Sequence, residues 1–332
     1  MARLFIRTEA SNAIGLGHFM RCFAIAEEAR ARDIEVVFLL NETGDAVQAR
    51  CRQIGAIAKA TPAQIGSIED IEGIIASGLE RDDWVIFDTY RNLKNARVIW
   101  DGFAHVMILD DLALPMNVRA DLVVNPAMSA SEMGYGKQFL GFQRALLGPD
   151  YALIRREFRV PPAPTTDTQF VVVMFGGSDP RQLTGGCAAM LRAAMPGIRL
   201  KIIAGPAHIH TEALRALAGA DPLLDLHVDP PSVAQVLAGC DLVLTAAGGS
   251  VGEMAAMGLA ALVLVLYDNQ KAALAQCPFP VIDARGGLPA DLGLRARGLV
   301  DDPTGLKAIA DKAHRIVDGK GAKRVVEAMF GA

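Results

Sequence analysis

The chain has 332 residues, of which 52% are hydrophobic, and its formal net charge is −4 at pH 7. A chain about twice the length of an ordinary domain has enough apolar material for two hydrophobic cores. The slight acidic excess and the scattered Lys and Arg residues exclude the basic face that a nucleic-acid-binding protein needs. We therefore predict a two-domain enzyme that binds a small molecule and no nucleic acid.

The 5 cysteines show no CxxC spacing, and two of them lie in apolar helical patterns, which is typical of reduced thiols in a cytosolic protein. The sequence begins directly with a strand pattern, so we expect no signal peptide. No apolar run approaches the ~20 residues of a membrane-spanning helix. The expected location is the cytoplasm, and the expected state is a monomer.

The first motif in chain order is GLGHFMR at residues 15–21, between an apolar strand pattern and a long helical pattern. Gly15 and Gly17 allow a tight turn, and a helix that begins there offers backbone N–H groups to an anion, with His18 beside them. The alternative is an ordinary strand-helix turn with an incidental histidine. A dinucleotide fingerprint fits less well, because Met20 takes the place of its third glycine.

Strand patterns recur along both halves of the chain. They fall at 4–7, 35–40, 84–87, 105–109 and 122–124, and again at 170–175, 200–204, 224–228, 241–245 and 261–266. Helical patterns separate most of them, which predicts parallel sheets with helices on both faces. The stretch PPAPTT at 161–166 marks a boundary. The predicted domains are 1–160 and 169–320, with a linker at 161–168 and a last helix in 321–332 for which a return to the first domain is one option.

Two glycine turns follow strand patterns in the second half. The first lies in FGGSDP at 175–180, and the second lies in AAGGS at 246–250, just before a helical pattern. Gly248, Gly249 and Ser250 could hold a diphosphate, while Glu253 accepts hydrogen bonds from a ribose diol. The alternative is structural, with Ser250 as the helix N-cap and Glu253 completing a capping box.

Seven motifs follow one another within residues 7–270. They are GLGHFMR at 15–21, DTY at 88–90, LDD at 109–111, LLGPDYALIRREF at 146–158, FGGSDP at 175–180, AAGGSVGEMAAMG at 246–258 and DNQ at 268–270. The set resembles the UDP-2,4-diacetamido-2,4,6-trideoxy-β-L-altropyranose hydrolase family of pseudaminic acid biosynthesis. The expected fold is α/β and GT-B-like, with two Rossmann-like doubly wound domains facing a central cleft, where ligands of open α/β sheets bind.

The resemblance implies hydrolysis at the anomeric carbon, without metal or cofactor, that releases UDP and the free sugar with inversion. His18 matches the catalytic histidine of the family, and a neutral imidazole is suited to take a proton from water near pH 7. The UDP leaving group needs little protonation, because its charge can spread onto the diphosphate and the helix N-termini. The alternatives are a GT-B UDP-sugar glycosyltransferase and a non-catalytic nucleotide-sugar-binding protein.

The resemblance also implies two sets of binding residues. We expect the substrate to contact Gly15, Gly17, Arg21, Asp88, Tyr90, Asp111 and Arg155, and UDP to contact Gly176, Gly177, Ser178, Gly248, Gly249, Ser250, Glu253 and Asn269. Arg21 has the alternative of pairing with a carboxylate. Arg155 has the alternative of packing in a hinge helix with Tyr151 and Arg156.

Three acids and two further histidines have functional and structural alternatives. Asp88, Asp110 and Asp111 end two strand patterns, where a carboxylate could orient His18 or bind sugar hydroxyls. Adjacent strand residues point to opposite faces, so we expect no metal site at the Asp110-Asp111 pair and at most one member of that pair at the sugar. His208 and His210 lack a third ligand, which favours loop residues over a metal pair.

Overall fold

A computed structural model of the chain describes residues 2–10, 17–113, 118–135, 141–159 and 169–331, apart from the side chain of residue 269. The chain forms two compact units. One contains the chain up to Arg155 together with the residues from Lys320 onward, and the other is Arg156–Gly319. No helix within the described ranges is long and apolar enough to cross a membrane.

The first unit is built on a sheet of seven parallel strands in the order β3-β2-β1-β4-β5-β6-β7. The strands are β1 (Leu4–Thr8), β2 (Val36–Leu40), β3 (Ile57–Ala60), β4 (Trp84–Asp88), β5 (His105–Leu109), β6 (Arg119–Asn125) and β7 (Gly141–Leu147). In the register of the central strands, Leu4 lies opposite both Val36 and Trp84. All five residues of β1 are buried, as expected of a central strand that is covered on both faces.

Helices cover both faces of this sheet. They are α1 (Gly17–Arg30), α2 (Asp45–Gln53), α3 (Ile68–Ala76), α4 (Arg97–Gly102) and, at the end of the chain, α12 (Gly321–Phe330). The side chains of Leu4 and Ile6 pack in one apolar cluster with residues of α1 and α12, whereas Phe5 packs in the cluster of the opposite face. An ion pair of 2.8 Å between Arg32 and Glu327 adds to the contact of α12 with the region that follows α1. The last helix therefore completes the core of the first unit.

The second unit has a sheet of six parallel strands in the order β10-β9-β8-β11-β12-β13. The strands are β8 (Phe170–Met174), β9 (Arg199–Ala204), β10 (Leu224–Val228), β11 (Leu242–Ala246), β12 (Ala261–Val265) and β13 (Val281–Asp283). The helices are α5 (Leu183–Ala194), α6 (Thr211–Ala220), α7 (Val233–Leu237), α8 (Gly249–Met257), α9 (Ala273–Gln276), α10 (Leu292–Val300) and α11 (Pro303–Ile316). Both units are thus Rossmann-like parallel α/β structures, which confirms the predicted fold class.

The strand predictions succeed for all interior strands and for one of the four edge strands, β10. All ten predicted strands are present, each within a few residues of its predicted ends. The three missed strands, β3, β7 and β13, lie at sheet edges and are partly exposed. An edge strand that is half covered does not need the continuous apolar run by which the interior strands were identified.

The alternative of a hinge helix around Tyr151, Arg155 and Arg156 is wrong. The structure has single 3₁₀ turns at Pro149–Tyr151 and Arg156–Phe158. Ala152 has extended backbone angles, with φ −56° and ψ 126°, so the first turn cannot continue as a helix. Arg155 therefore lies in a non-helical segment, half-buried, as the last residue of the first unit.

Candidate active site

The carboxyl ends of three neighbouring strands form the edge of the first sheet at which the candidate catalytic residues meet. Strands β1, β4 and β5 are adjacent, Asp88 is the last residue of β4, and Asp111 follows β5 by two residues. Helix α1 begins at Gly17, so His18 lies in its first turn and Arg21 lies one turn later. Gly17 is exposed, and a Cβ atom on it would meet no other atom within 4 Å.

His18 and Asp88 form a hydrogen-bonded pair, with His18 Nδ1 2.7 Å from Asp88 Oδ1. The Asp88 side chain is fully buried, whereas 18% of the His18 side chain is exposed. An ionised carboxylate can only accept a hydrogen bond, so Nδ1 is the nitrogen that carries the proton. Neutral His18 then has its lone pair on Nε2, which is the form that a general base requires.

Arg21 connects Asp88 to Asp111. Its Nε donates to Asp88 Oδ2 at 2.7 Å, its Nη1 donates to both Asp111 oxygens at 2.7 Å, and its Nη2 donates to Asp88 Oδ1. Burial alone would raise the pKa of Asp88, but the charge and hydrogen bonds of Arg21, with a further contribution from His18, lower it to about 2. Burial likewise opposes the charge of Arg21, yet the two carboxylates raise its pKa well above the usual value. Asp88 is therefore ionised throughout the neutral range.

Tyr90 and Asp111 stand beside the histidine. The Tyr90 hydroxyl donates to Asp111 Oδ2 at 2.8 Å, and the Tyr90 ring meets the His18 ring edge-on with centroids 5.0 Å apart. Burial and the Asp111 charge both raise the pKa of Tyr90, which keeps the hydroxyl protonated. Because 51% of Tyr90 remains exposed, the pair combines an accessible aromatic face with a carboxylate.

Asp110 has hydrogen-bond partners other than those of Asp111. Its carboxylate accepts from the N–H groups of Leu112 at 3.2 Å and Ala113 at 2.9 Å, and from the hydroxyl of Tyr135. Tyr135 in turn accepts a hydrogen bond of 2.7 Å from Asn125, the last residue of β6. Sequence reasoning missed Tyr135 and Asn125, and the only available signal was the polar residue at a strand end.

The turn after β11 differs from the predicted capping box. Helix α8 begins at Gly249, its N-cap is Gly248, and no side chain caps it. The interpretation of Ser250 as N-cap with Glu253 three residues later is therefore wrong, because the helix starts two residues earlier than that pattern requires. Gly248 is extended, and a Cβ atom on Gly248 or Gly249 would meet nothing within 4 Å. The fold of the described residues does not itself require glycine at these positions.

The turn after β8 is held tightly. Gly176 has φ +75°, which favours glycine, and a Cβ on Gly205 would lie 2.4 Å from the Gly177 Cα. Asp179 accepts from the N–H groups of Leu183 and Thr184 at the start of α5, at 3.1 and 2.8 Å. Strands β8 and β11 are neighbours, so the turns after them share one edge of the second sheet.

The structure brings His18, Arg21, Asp88, Tyr90 and Asp111 together in one hydrogen-bonded cluster. Of the two alternatives for Arg21, carboxylate pairing is the one observed. Gly15 lies outside the described residues. The other predicted binding residues keep their roles as predictions: they are Gly17, Arg155, Gly176, Gly177, Ser178, Gly248, Gly249, Ser250, Glu253 and Asn269, of which the last lies in a 3₁₀ turn at Asp268–Gln270.

Across the described ranges, no cluster of three or more His, Cys, Asp or Glu side chains is arranged to hold a metal ion. The rings of His208 and His210 lie 6.3 Å apart between centroids in the segment after β9. The Nε2 atom of His208 lies 3.6 Å from Asp179 Oδ2.

Two curated relatives match part of the sequence, and no family model matches it. The spore coat polysaccharide biosynthesis protein SpsG of Bacillus subtilis is 30% identical over 206 residues, which cover 56% of this chain and 58% of SpsG. The uncharacterized protein MJ1062 of Methanocaldococcus jannaschii is 23% identical over 279 residues, covering 81% of this chain and 56% of that protein. The chain therefore spans little more than half the length of the relatives that it matches.

Solved structures match over nearly the whole chain. The complex of Anabaena HepE with UDP-glucose has a TM-score of 0.64 at 14% identity and covers 98% of both chains. The complex of S. aureus MnaA with UDP has a TM-score of 0.65 at 11% identity and covers 98% of this chain and 95% of that chain. At such identities the likeness shows the fold alone. That fold is GT-B-like, composed of two Rossmann-like domains with parallel sheets of seven and six strands.

Proposed function

We propose that this protein hydrolyses a UDP-linked sugar to UDP and the free sugar, with His18 as the general base. The observation that supports this best is the 2.7 Å contact of His18 Nδ1 with Asp88, which leaves the lone pair on Nε2. Water attacks the anomeric carbon as Nε2 takes its proton, and the bond to the diphosphate oxygen breaks with its electron pair leaving on UDP. Attack on the face opposite the leaving group inverts the anomeric centre.

Asp88 and Arg21 support this step without touching the reacting atoms. Asp88 stabilises the imidazolium that forms when His18 takes the proton, and Arg21 keeps Asp88 ionised. Asp111 and Tyr90 bind hydroxyl or amide groups of the sugar in this proposal, because Asp111 offers acceptors and Tyr90 offers an exposed ring. The remaining contacts to the sugar and its diphosphate come from Gly15, Gly17 and Arg155.

The nucleotide is assigned to the second unit. Gly249 and Ser250 bind the diphosphate through backbone N–H groups at the start of α8, with Gly248 beside them and together with Gly176, Gly177 and Ser178. The N–H of Gly248 itself donates to the Ala246 carbonyl at 2.8 Å. The open space where a Cβ would lie on Gly248 and Gly249 supports this assignment, since a phosphate can approach the backbone closely. Glu253 and Asn269 contact the ribose and the phosphates. The UDP and UDP-glucose in the two solved complexes support a uridine nucleotide.

The particular substrate that we propose is UDP-2,4-diacetamido-2,4,6-trideoxy-β-L-altropyranose, in pseudaminic acid biosynthesis. The ordered motifs at 15–21, 88–90, 109–111 and 246–258 support it. The match to SpsG is compatible with a role in making a surface sugar. A UDP-sugar glycosyltransferase is the second candidate, because the His18–Asp88 pair would deprotonate an acceptor hydroxyl in the same way as water.

Proton NMR of the purified protein with this substrate, without added metal or acceptor, tests the proposal. The expected result is release of UDP together with the inverted anomer as the first sugar product. The matched variant His18→Asn should lose about 10²–10⁴-fold of this rate while its affinity for UDP stays within a few-fold, since removal of a general base acts on the chemical step. Bound but intact substrate would refute hydrolysis and favour a transferase or a binding protein. Equal loss of UDP binding in His18→Asn would contradict the assignment of His18 as base.

A further inference from the structure

His208 is a buried histidine in the second unit, and only one of its two ring nitrogens has a hydrogen-bond partner among the described residues. Only 2% of its side chain is exposed, and its Nδ1 accepts a hydrogen bond of 3.2 Å from the backbone N–H of His210. A nitrogen that accepts cannot carry the proton, so neutral His208 carries it on Nε2. That Nε2 is buried and has no hydrogen-bond partner among the described residues. It lies 3.6 Å from Asp179 Oδ2, beyond hydrogen-bonding distance.

Asp179 lies inside the turn that we assign to the diphosphate. Its carboxylate faces the start of α5, where Oδ2 accepts from the Thr184 N–H at 2.8 Å and from the Thr184 hydroxyl at 2.5 Å. Asp179 also has φ +40°, a left-handed conformation that is uncommon for a residue other than glycine. Such a conformation persists only where the surroundings enforce it. The contacts of the Asp179 side chain are therefore part of what fixes the turn.

The rest of the turn is anchored on both sides of Ser178. The Gly177 carbonyl accepts from the N–H of Ala207 at 3.2 Å, in the same segment that contains His208. Arg181 donates to the carbonyls of Leu266 at 2.9 Å and Ala284 at 3.0 Å, after β12 and β13. These anchors hold the backbone, but they do not act on the Asp179 carboxylate.

A carboxylate in an anion-binding turn has an electrostatic consequence. A negative charge that rotates toward the diphosphate repels it, whereas a charge directed at the N-terminus of α5 is stabilised by the helix dipole. The Nε2–H of His208 is the one side-chain donor, among the described residues outside α5, that faces Asp179 Oδ2. Its position is suited to keep the carboxylate in the second orientation.

We propose that His208 is a positioning residue for the UDP site: its Nε2–H closes onto Asp179 Oδ2 when UDP binds and holds that carboxylate away from the diphosphate. This inference rests on the proposed binding of UDP by the turn Gly176–Ser178. It assigns His208 to binding rather than to the chemical step. Loss of the donor should therefore raise the Kd for UDP and the KM for the sugar nucleotide, while kcat changes little.

Calorimetric titration of the full chain with UDP tests this inference on three variants. His208→Leu removes the donor and should weaken UDP binding about tenfold, the range expected for one hydrogen bond to a charged group. His208→Gln places an amide N–H near the position of Nε2 and should restore most of the affinity. The control is His227→Leu, because His227 lies in the same unit and also has a buried Nε2 without a partner among the described residues. That variant should bind UDP within twofold of the wild type.

The outcomes separate this inference from the proposed function. Failure of the wild-type chain to bind UDP would overturn both. Tight binding by the wild type and equal binding by His208→Leu would overturn only the role of His208. A second measurement covers the case in which His208→Leu does not fold: the imidazole ¹H–¹⁵N spectrum of the wild type should show a proton on Nε2 of His208 that moves downfield when UDP is added. An unchanged Nε2 proton in the UDP-saturated protein would refute the proposal.

Discussion

Asp88 Oδ1 lies 2.7 Å from His18 Nδ1 and accepts at the same time from Nη2 of Arg21. One oxygen thus receives two donors that α1 supplies from consecutive turns. The Nη2 of Arg21 is 3.3 Å from Nδ1 of His18, and both are donors, so this closeness follows from their common acceptor. The shared carboxylate fixes the histidine tautomer and the position of the arginine together.

We predict that Asp88→Asn lowers kcat by about 10²-fold or more while the Kd for UDP stays within a few-fold. An amide keeps one acceptor oxygen and has an NH₂ donor in place of the other, so this donor must face either Nε of Arg21 or the pair formed by His18 Nδ1 and Arg21 Nη2. The amide also lacks the negative charge that stabilises the imidazolium of His18. Steady-state assays of UDP release measure the effect. The control is Asp121→Asn, because Asp121 approaches another histidine, His105, at 3.4 Å in the same unit. Similar losses in the two variants would argue against a special role for Asp88.

Asp88 should also make the protein sensitive to acid. Its pKa in the folded chain is about 2, below the ~3.9 of an unfolded chain, so its ionised form stabilises the fold. This contribution, about 2–3 kcal/mol, is fully present above pH ~4 and is lost as the pH falls toward 2. Urea unfolding of the wild type and of Asp88→Asn should show free energies of unfolding that converge over this interval. A difference that stays constant from pH 6 to pH 2.5 would contradict the pairing.

The sequence predicts the interior of the fold better than the connections within the site. Continuous apolar runs such as 170–175 identify the buried strands, and acids at the ends of such runs placed Asp88 and Asp111 at the edge where His18 lies. No sequence pattern shows that Arg21 donates its hydrogen bonds to those two acids, because the rotamer of a side chain depends on its neighbours in the folded protein. Tyr135 was missed for the same reason: it comes from a segment without periodicity, and its hydrogen bond to Asp110 exists only after β5 and β6 pair.

Arg7 gives a prediction about stability alone. It is fully buried on β1, where it donates to Asp70 Oδ1 at 2.6 Å and to the carbonyls of Leu39 at 3.1 Å and Ala63 at 2.6 Å. Burial lowers the pKa of Arg7 and raises that of Asp70, while their mutual attraction opposes both shifts. Arg7→Met leaves the Asp70 charge without its partner, so the free energy of unfolding should fall by about 3–5 kcal/mol.

The cause of this lower free energy of unfolding can be tested by urea unfolding of two further variants. The double variant Arg7→Met/Asp70→Leu should recover most of the stability, since it removes the unpaired charge as well. Arg97→Met is the control, because Arg97 pairs with Asp101 at 3.0 Å on an exposed helix surface and should contribute almost nothing. If Arg7→Met were no more destabilising than Arg97→Met, the ion pair would not be buried as the structure shows.

At the turn after β11, the fold and the proposed ligand place different requirements on Gly249. Gly249 is the first residue of α8, and a Cβ there would meet no atom within 4 Å. Gly249→Ala should therefore fold normally and gain up to about 1 kcal/mol of stability, because alanine favours the helix. In the proposed complex, the added methyl group occupies the space of the diphosphate, and the Kd for UDP should rise about tenfold or more.

Gly219→Ala provides the matched control for this experiment. Gly219 lies in α6 of the same unit, and a Cβ on it would likewise meet nothing within 4 Å. The Gly219→Ala variant should have a raised thermal stability, as Gly249→Ala should, and should bind UDP as the wild type does, since we assign no ligand contact to α6. A Gly249→Ala variant that is stable and binds UDP as well as Gly219→Ala does would exclude the start of α8 as the diphosphate site. A variant that is more stable yet binds UDP poorly would show that glycine at position 249 serves the ligand rather than the fold.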